Sequence, residues 1–153
     1  MYGSSSAALL DVSGATTNNG SISIGSEGEF AGAVDGTGSF SLYYSNLQFD
    51  SSVSTGQTIN ESGVVDGLTL EQAQKFAATI SGFGTGETID AANFLLSGTT
   101  FNFTPNSRDT GGTLSLHDST SGLTANIHLT GRYSNADFTL APDHGTGTLV
   151  KFV

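Results

Sequence analysis

The 153-residue sequence contains no cysteine, and this absence excludes disulfides, thiolate metal sites and cysteine nucleophiles together. It also lacks any apolar run approaching the ~20 residues of a membrane-spanning helix, so membrane insertion is not expected. Residues 1–10 have neither a basic segment nor a long apolar core, and they do not match a secretory signal. If the chain is exported, we expect a removed signal, a C-terminal signal, or a sequence that is an excerpt.

Basic side chains are scarce, with four Lys and Arg against 14 Asp and Glu and a net charge of −10. Nucleic acid requires a basic surface, so nucleic-acid binding is not expected. Anionic membrane surfaces are disfavoured for the same reason. The acidic balance favours solubility, and it also makes association with divalent cations such as calcium a hypothesis to examine.

What the chain does contain is glycine, short polar residues and regularly placed aromatics. It has 21 Gly, ten Phe and four Tyr, whereas only 12% of its residues are charged. A disordered chain usually carries more charge and fewer aromatics. Glycine and asparagine tolerate the positive φ that tight turns demand, so this composition predicts a folded, all-β protein.

A loose internal repeat runs through residues 1–60. The segment at residues 20–24 recurs at 38–42 and, more weakly, at 56–60, with the three leading glycines evenly spaced. A second series, Leu10, Phe30 and Phe49, advances at nearly the same interval. Such a ladder predicts a β-solenoid, in which each coil buries its inward residues by stacking on the next. The alternative is a β-meander or sandwich.

Residues 61–79 carry the chain's helical signal. Thr69 is a candidate N-cap, with Gln72 three residues later as in a capping box. One helical face then carries four apolar residues, namely Leu70, Ala73, Phe76 and Ala77. We predict a helix of about two turns, docked through Phe76 and acting as a joint between the two halves.

Residues 80–153 return to short strands separated by turns. The clearest prediction is a hairpin from residue 113 to residue 129, with its turn at residues 118–122 and Leu116 paired with Leu123. A final strand is predicted over residues 147–153. The expected fold is therefore all-β: a β-solenoid-like N-terminal half (1–60), a joint with a short helix (61–79) and a C-terminal antiparallel β cap or sandwich (80–153).

Two groups of residues are candidate binding sites. Tyr43 and Tyr44 are adjacent, so one of them must face outward from its strand, where it would bind a sugar or a partner protein or pack under a loop. The calcium candidates are Asp118 in its serine-rich turn, and Asp109 with Asp143 if their turns adjoin. The alternative for such turn aspartates is an Asx-turn, in which the carboxylate caps its own backbone.

Catalysis is not expected. There is no Gly-x-Ser-x-Gly elbow to expose a serine nucleophile. Glu27 and Glu29 share one strand face at ~6.6 Å, but without an aromatic platform they fit a solvated edge better than a glycosidase pair. With Leu116 opposite Leu123, His117 would lie beside Gly122, about 20 Å from His128 along the ladder and too far to share an ion.

Several motifs in the C-terminal half resemble those of large secreted bacterial surface proteins. Residues 80–90 (ISGFGTGETID) resemble the signature I-x-G-F-x-x-G-D-T-I-D-L, and similar matches occur at residues 112–118, 129–134, 137–138 and 143–150. The family includes autotransporter-like passengers, haemagglutinin-like adhesins and relatives of type I-secreted repeat proteins. Residues 8–60 resemble the Gly/Thr-rich solenoid that commonly precedes these motifs.

The resemblance implies an extracellular or cell-surface location and a structural or adhesive role, with attachment to a host or matrix surface. Because a solenoid exposes unpaired strands or apolar layers at its ends, self-association into fibres through those ends is also expected. The alternative is a carbohydrate-binding accessory module of a larger secreted protein. Two positions depart from the signature, where Glu87 replaces Asp and Ala91 replaces Leu. The tandem nonapeptide that binds calcium in type I-secreted β-rolls is absent, so the resemblance implies no calcium site and no cofactor.

Overall fold

A computed structural model describes residues 9–63 and 65–153, and its first part is, as predicted, a β-solenoid, with about four coils. Successive coils stack strand on strand in two parallel sheets. The first sheet contains β1 (Leu9–Val12), β4 (Glu27–Phe30), β7 (Asn46–Phe49) and β9 (Gly67–Leu70). The second contains β3 (Ser21–Ile24), β6 (Ser39–Leu42), β8 (Thr58–Glu61) and β10 (Thr79–Ser81).

The third side of the solenoid is narrower. It consists of the parallel pair β2 (Thr16–Thr17) and β5 (Val34–Asp35). Isolated bridges from Val34 to Val53 and from Val53 to Phe76 continue it through coils three and four. Each coil is therefore a triangle of extended segments joined at turns.

The register of the coils corrects both predicted repeat series. Equivalent positions are Ser21, Ser39, Thr58 and Thr79, so each step from coil to coil is longer than the one before it. Gly38 therefore lies above Gln57 and not above Gly56. On the first sheet Val12, not Leu10, pairs with Phe30.

A buried amide pair links the first and third coils just before their second-sheet strands begin. Gln57 is fully buried, and its Nε2 donates to the carbonyls of Asn18 at 2.8 Å and Asp35 at 3.0 Å. Its Oε1 accepts from Nδ2 of Asn18 at 3.0 Å, across the intervening coil. A Cβ on Gly38 would come within 2.6 Å of Asn18 Oδ1, so a glycine there makes room for the bond.

Aromatic residues fill the solenoid interior. Phe30, Phe40 and Phe49 are each at most 1% exposed, and their ring centroids lie 5.1–5.8 Å apart. Phe76 continues the stack at 6.2 Å from Phe49. Edge-to-face and tilted pairs of this kind add to the stabilisation from burial itself.

The helix predicted from Thr69 is wrong in position and kind. Thr69 lies within strand β9, and the helical turn is a three-residue 3-10 helix, Ala73–Lys75, preceded by Gln72 without a side-chain cap. Pairing β9 with β7 satisfies the backbone hydrogen bonds of residues 67–70 and buries Leu68 and Leu70 on the core. A two-turn helix would leave most of those backbone groups unpaired, so the strand prevails.

The C-terminal half is an antiparallel β cap, as predicted. On the first sheet β11 (Thr88–Ala91) follows β9 in parallel, and β16 (Thr148–Phe152) and then β15 (Phe138–Pro142) add antiparallel. On the second sheet β14 (Leu123–Thr130) pairs with β10, followed antiparallel by β13 (Gly111–Asp118) and β12 (Thr99–Pro105). Two further 3-10 turns lie at Leu96–Gly98 and Asn135–Asp137.

The predicted hairpin forms, but its register differs from the prediction. Asp118 pairs with Leu123 across a four-residue turn, so Leu116 lies opposite Ala125 and not opposite Leu123. His117 consequently lies opposite Thr124 and His128 opposite Thr113. The turn decides the register, because Gly122 takes a φ of +74° that closes the hairpin at Asp118.

Candidate functional site

Among residues 9–63 and 65–153, the first coil (residues 9–26) forms one end of the solenoid, which is called the open end below. Strands β1 and β3 are edge strands of the two large sheets, and β2 is an edge of the third side. The carbonyl of Val12 accepts a bond from the second coil at 2.9 Å, and that of Ile24 accepts one at 3.2 Å. By the alternation of a parallel strand, the backbone groups of Asp11 and Ser23 point to the open side.

Inward side chains of the first coil are only partly covered. Leu10 is 41% exposed, whereas Leu47 and Leu68, which stand in the same inward row, are at most 1% exposed. Val12 and Ile22 are likewise half-buried, although their counterparts one coil further in are buried. Within the described part of the chain, the open end therefore combines edge-strand backbone with a partly exposed apolar surface, the two features that promote strand addition.

The opposite end is built to resist such pairing. The chain's two prolines are Pro105 in β12 and Pro142 in β15, which are the edge strands of the two sheets at the capped end. The backbone N–H groups of the residues that follow them, Asn106 and Asp143, donate hydrogen bonds across their hairpins at 2.8 and 3.4 Å. By the alternation along a strand, the backbone nitrogen of each proline faces away from the partner strand. Because proline has no N–H, that position offers no hydrogen-bond donor to an added strand.

Tyr43 and Tyr44, the predicted binding residues, lie at the corner between the two large sheets. They are 63% and 55% exposed, and their rings pack edge to face with centroids 4.7 Å apart. Val65, 63% exposed, lies on the corresponding corner of the next coil. Both tyrosines are therefore exposed, and they form a projecting corner; neither packs under a loop.

A buried aspartate holds this corner in shape. Asp66 is 1% exposed, and its carboxylate accepts bonds from the backbone N–H groups of Ser45 at 3.0 Å and of Ser62 and Gly63 at 3.1 and 2.8 Å. Tyr44 takes a φ of +51°, a left-handed conformation that is uncommon for a residue with a side chain. The bond to Ser45, its neighbour, stabilises that turn.

Glu61 is the most unusual ionisable group among the described residues. It occupies the inward row below Leu42, is 4% exposed, and neither of its carboxyl oxygens has a hydrogen-bond partner. Burial, reinforced by the charges of Glu87 and Asp66, raises the pKa of Glu61 to about 9. Glu61 is therefore a neutral acid at physiological pH.

Asp118 forms the Asx-turn that was the alternative to a calcium site. Its buried carboxylate accepts from Ser121 Oγ at 2.7 Å, from the Thr120 N–H at 2.8 Å and from the Leu95 N–H at 3.1 Å. The bond from Ser121, aided by those from the backbone, lowers the pKa of Asp118 to about 2. These three hydrogen bonds thus stabilise the β13–β14 turn and tie it to residue 95.

Asp109 and Asp143 do not come together. Asp109 lies in the β12–β13 turn, with a φ of +53° and its Oδ2 3.8 Å from Arg132 Nε. The Asp143 turn lies near the other end of β12, where the Thr146 carbonyl accepts from Leu96. Strand β12 is seven residues long, so roughly 20 Å separates the two turns, and the condition for a shared calcium site fails. Within residues 9–63 and 65–153 no three histidine or acidic side chains converge as a metal centre requires.

Carboxylates do gather on the outer face of the first sheet. Asp11 pairs with Glu29, and the pKa of Glu29 is raised first by the charge of Asp50, then by burial and by the charge of Asp11. Asp90 lies further along the same face, where burial and the charge of Asp143 raise its pKa to about 6. This face is a repulsive acidic surface, and Glu27 and Glu29 are part of it.

Comparison with family models, with curated proteins and with solved structures gave no match. In the part of the chain that the structure describes, no helix is long and apolar enough to cross a bilayer.

A prediction separates the two interpretations of Asp118. Asp118→Ala leaves two backbone N–H groups and a hydroxyl without an acceptor, so we expect its thermal midpoint to fall well below that of the parent chain. Because the lost contacts are hydrogen bonds, the decrease should be the same in excess EDTA and in millimolar calcium. Calorimetry in the two buffers measures it, with Glu27→Ala as the exposed control. A decrease seen only with calcium would instead establish a metal site.

Proposed function

We propose that this chain is an extracellular structural or adhesive surface module, and that the open end of its solenoid is its association surface. The observation that carries the proposal is the difference between the two ends. Three proline-free edge strands and a partly exposed apolar row face outward at the first coil, whereas both edge strands of the cap end in proline. The resemblance of residues 80–150 to secreted surface proteins supports the location.

Self-association through this end is measurable on the purified chain. Sedimentation velocity over a concentration series, with negative-stain microscopy, should show assemblies larger than the 15.6 kDa chain. The same series in EDTA and in millimolar calcium tests whether the acidic outer face of the first sheet influences assembly. A strict monomer under all of these conditions would remove self-association from the proposal and leave only attachment to other surfaces.

The alternative function is carbohydrate binding at the tyrosine corner. Two exposed tyrosine rings in contact offer apolar faces with hydroxyl groups beside them, a combination suited to sugar rings. A glycan array tests this alternative, with Tyr43→Ala and Tyr44→Ala expected to lose binding that Val65→Ala keeps. An empty array, or affinity unchanged in both tyrosine variants, would count against a carbohydrate-binding module.

A further inference from the structure

We propose that the open end binds a second copy of the same chain head to head, as a closed two-fold pair in which first-coil strands meet antiparallel. This inference rests on the proposed function, because it names the partner of the same association surface. It also replaces the fibre expected from the sequence with an assembly that stops at two chains.

To cover the open end, a partner must supply strands on all three sides of the solenoid at once. The two large sheets and the third side all present an edge at the first coil. A single added strand would cover only one of these edges and would leave most of the apolar row exposed. A second copy brings a complete set of three edges, with its own Leu10, Val12 and Ile22 to cover that row.

The direction of the strands makes the pairing two-fold. Viewed from outside, the first coil of every copy runs in the same rotational sense. Two such ends placed face to face therefore run in opposite senses, so their strands meet antiparallel, which is a favourable pairing. Because the same surface is used on both chains, the contact is isologous and closes at a dimer.

Charge permits this contact in spite of the acidity of the chain. Residues 9–26 include a single charged side chain, Asp11, although the chain as a whole carries a net charge of −10. The remaining carboxylates of the first sheet's outer face lie on later coils. Two first coils can thus approach with little charge repulsion.

Head-to-tail stacking, by contrast, would have to use the capped end. Its edge strands β12 and β15 carry Pro105 and Pro142 at outward-facing positions, and on the described third side the bridges end at Phe76. The first coil of another copy would find two edges with missing donors there and no third edge. A fibre built by repeated stacking is therefore disfavoured.

Light scattering after size exclusion tests the size and location of the contact. We expect the mass to reach a plateau at twice 15.6 kDa as concentration rises. Leu10→Glu places a carboxylate in the contact and should raise the dissociation constant at least tenfold. Val153→Glu, which makes the same charge change at a residue that is 72% exposed at the other end, should leave it unchanged.

Spin labels distinguish the two directions of stacking, and the absence of native cysteine lets each single-cysteine variant carry one label. Ser21→Cys lies in the first coil and Thr139→Cys in the last strand of the capped first sheet. Seven strands at ~4.8 Å span roughly 30 Å, so in a head-to-head pair the Ser21→Cys labels should lie within ~25 Å and the Thr139→Cys labels ~60 Å apart. In a head-to-tail stack both labels would repeat at about the same ~34 Å.

Each outcome bears on one proposal or both. A dimer with close first-coil labels supports both of them. Open-ended growth with equal label spacings overturns the two-fold pair and leaves the association surface in place. A dimer that Leu10→Glu does not weaken, or a strict monomer, overturns the two-fold pair together with self-association through the open end.

Discussion

Replacing Glu61 with glutamine is expected to remove much of the loss of stability that the chain suffers between about pH 5 and pH 9. The folded-state pKa of Glu61 is about 9, whereas its ordinary value is 4.5. Below pH 4.5 the carboxyl is protonated in both states. As pH rises from there to about 9, the unfolded chain releases a proton that the folded chain retains, so the free energy of unfolding falls.

The change in the free energy of unfolding expected from Glu61 is the largest of the effects predicted for this chain. Each pH unit in that window costs up to about 1.4 kcal/mol for one proton, so the full window amounts to on the order of 5 kcal/mol. Urea unfolding at pH 5, 7 and 9 measures it. The free energy of unfolding of the Glu61→Gln variant should fall less steeply with pH than that of the parent chain. The decrease that remains should arise from Asp90, whose pKa is raised to about 6, and from Glu87, whose pKa burial also raises.

Two control variants test whether the pH dependence of stability comes from the burial of Glu61 or from net charge. Glu27→Gln makes the same charge change on the exposed outer face of β4 and should keep the slope of the parent chain. Glu61→Leu continues the inward row of Ile24 and Leu42, so we expect it to exceed the parent chain in stability at pH 8 by about 1–3 kcal/mol. The interpretation fails if Glu61→Gln and Glu27→Gln have the same pH dependence.

Replacing Phe49 with alanine is expected to lower the free energy of unfolding by about 3–5 kcal/mol. Phe49 is 1% exposed and lies at the centre of the aromatic core, with ring centroids 5.3 Å from Phe40, 5.8 Å from Phe30 and 6.2 Å from Phe76. Its removal leaves a cavity between coils two, three and four that the stacked strands cannot close, because their spacing is set by backbone hydrogen bonds. Urea unfolding monitored by circular dichroism measures the change.

Two further variants calibrate this effect. Phe49→Leu keeps most of the volume and should cost less than about 1.5 kcal/mol. Tyr43→Ala removes an exposed aromatic ring from the corner and should change stability by no more than about 0.5 kcal/mol. Equal losses for Phe49→Ala and Tyr43→Ala would contradict the assignment of the aromatic core.

The acidic residues show what a local pattern cannot reveal about a site. Asp118 was a calcium candidate because its turn is rich in serine, and the same serine, Ser121, becomes its hydrogen-bond donor in the structure. Asp109 and Asp143 depended on two turns adjoining, and β12 holds them apart. Glu61 drew no attention, because its inward position follows only from the coil register that places it below Leu42.

The prolines at the capped end carried a signal that could have been recognised. Proline is confined to edge strands or strand ends, and Pro105 and Pro142 are the chain's whole complement. Their positions alone mark β12 and β15 as edges. That these edges lie together at one end, opposite the open first coil, depends on the order of the strands across both sheets.

By itself the sequence determined an all-β chain with a repeat in its N-terminal half and short antiparallel strands in its C-terminal half, because turn glycines and alternating apolar residues are local signals of strand and turn. The tertiary structure alone decided the register of the third coil, the strand at Thr69, the neutral state of Glu61 and the contrast between the two ends. Each of these depends on which residues lie above and below a strand. In a solenoid those neighbours stand a full coil away along the chain, beyond the reach of any local pattern.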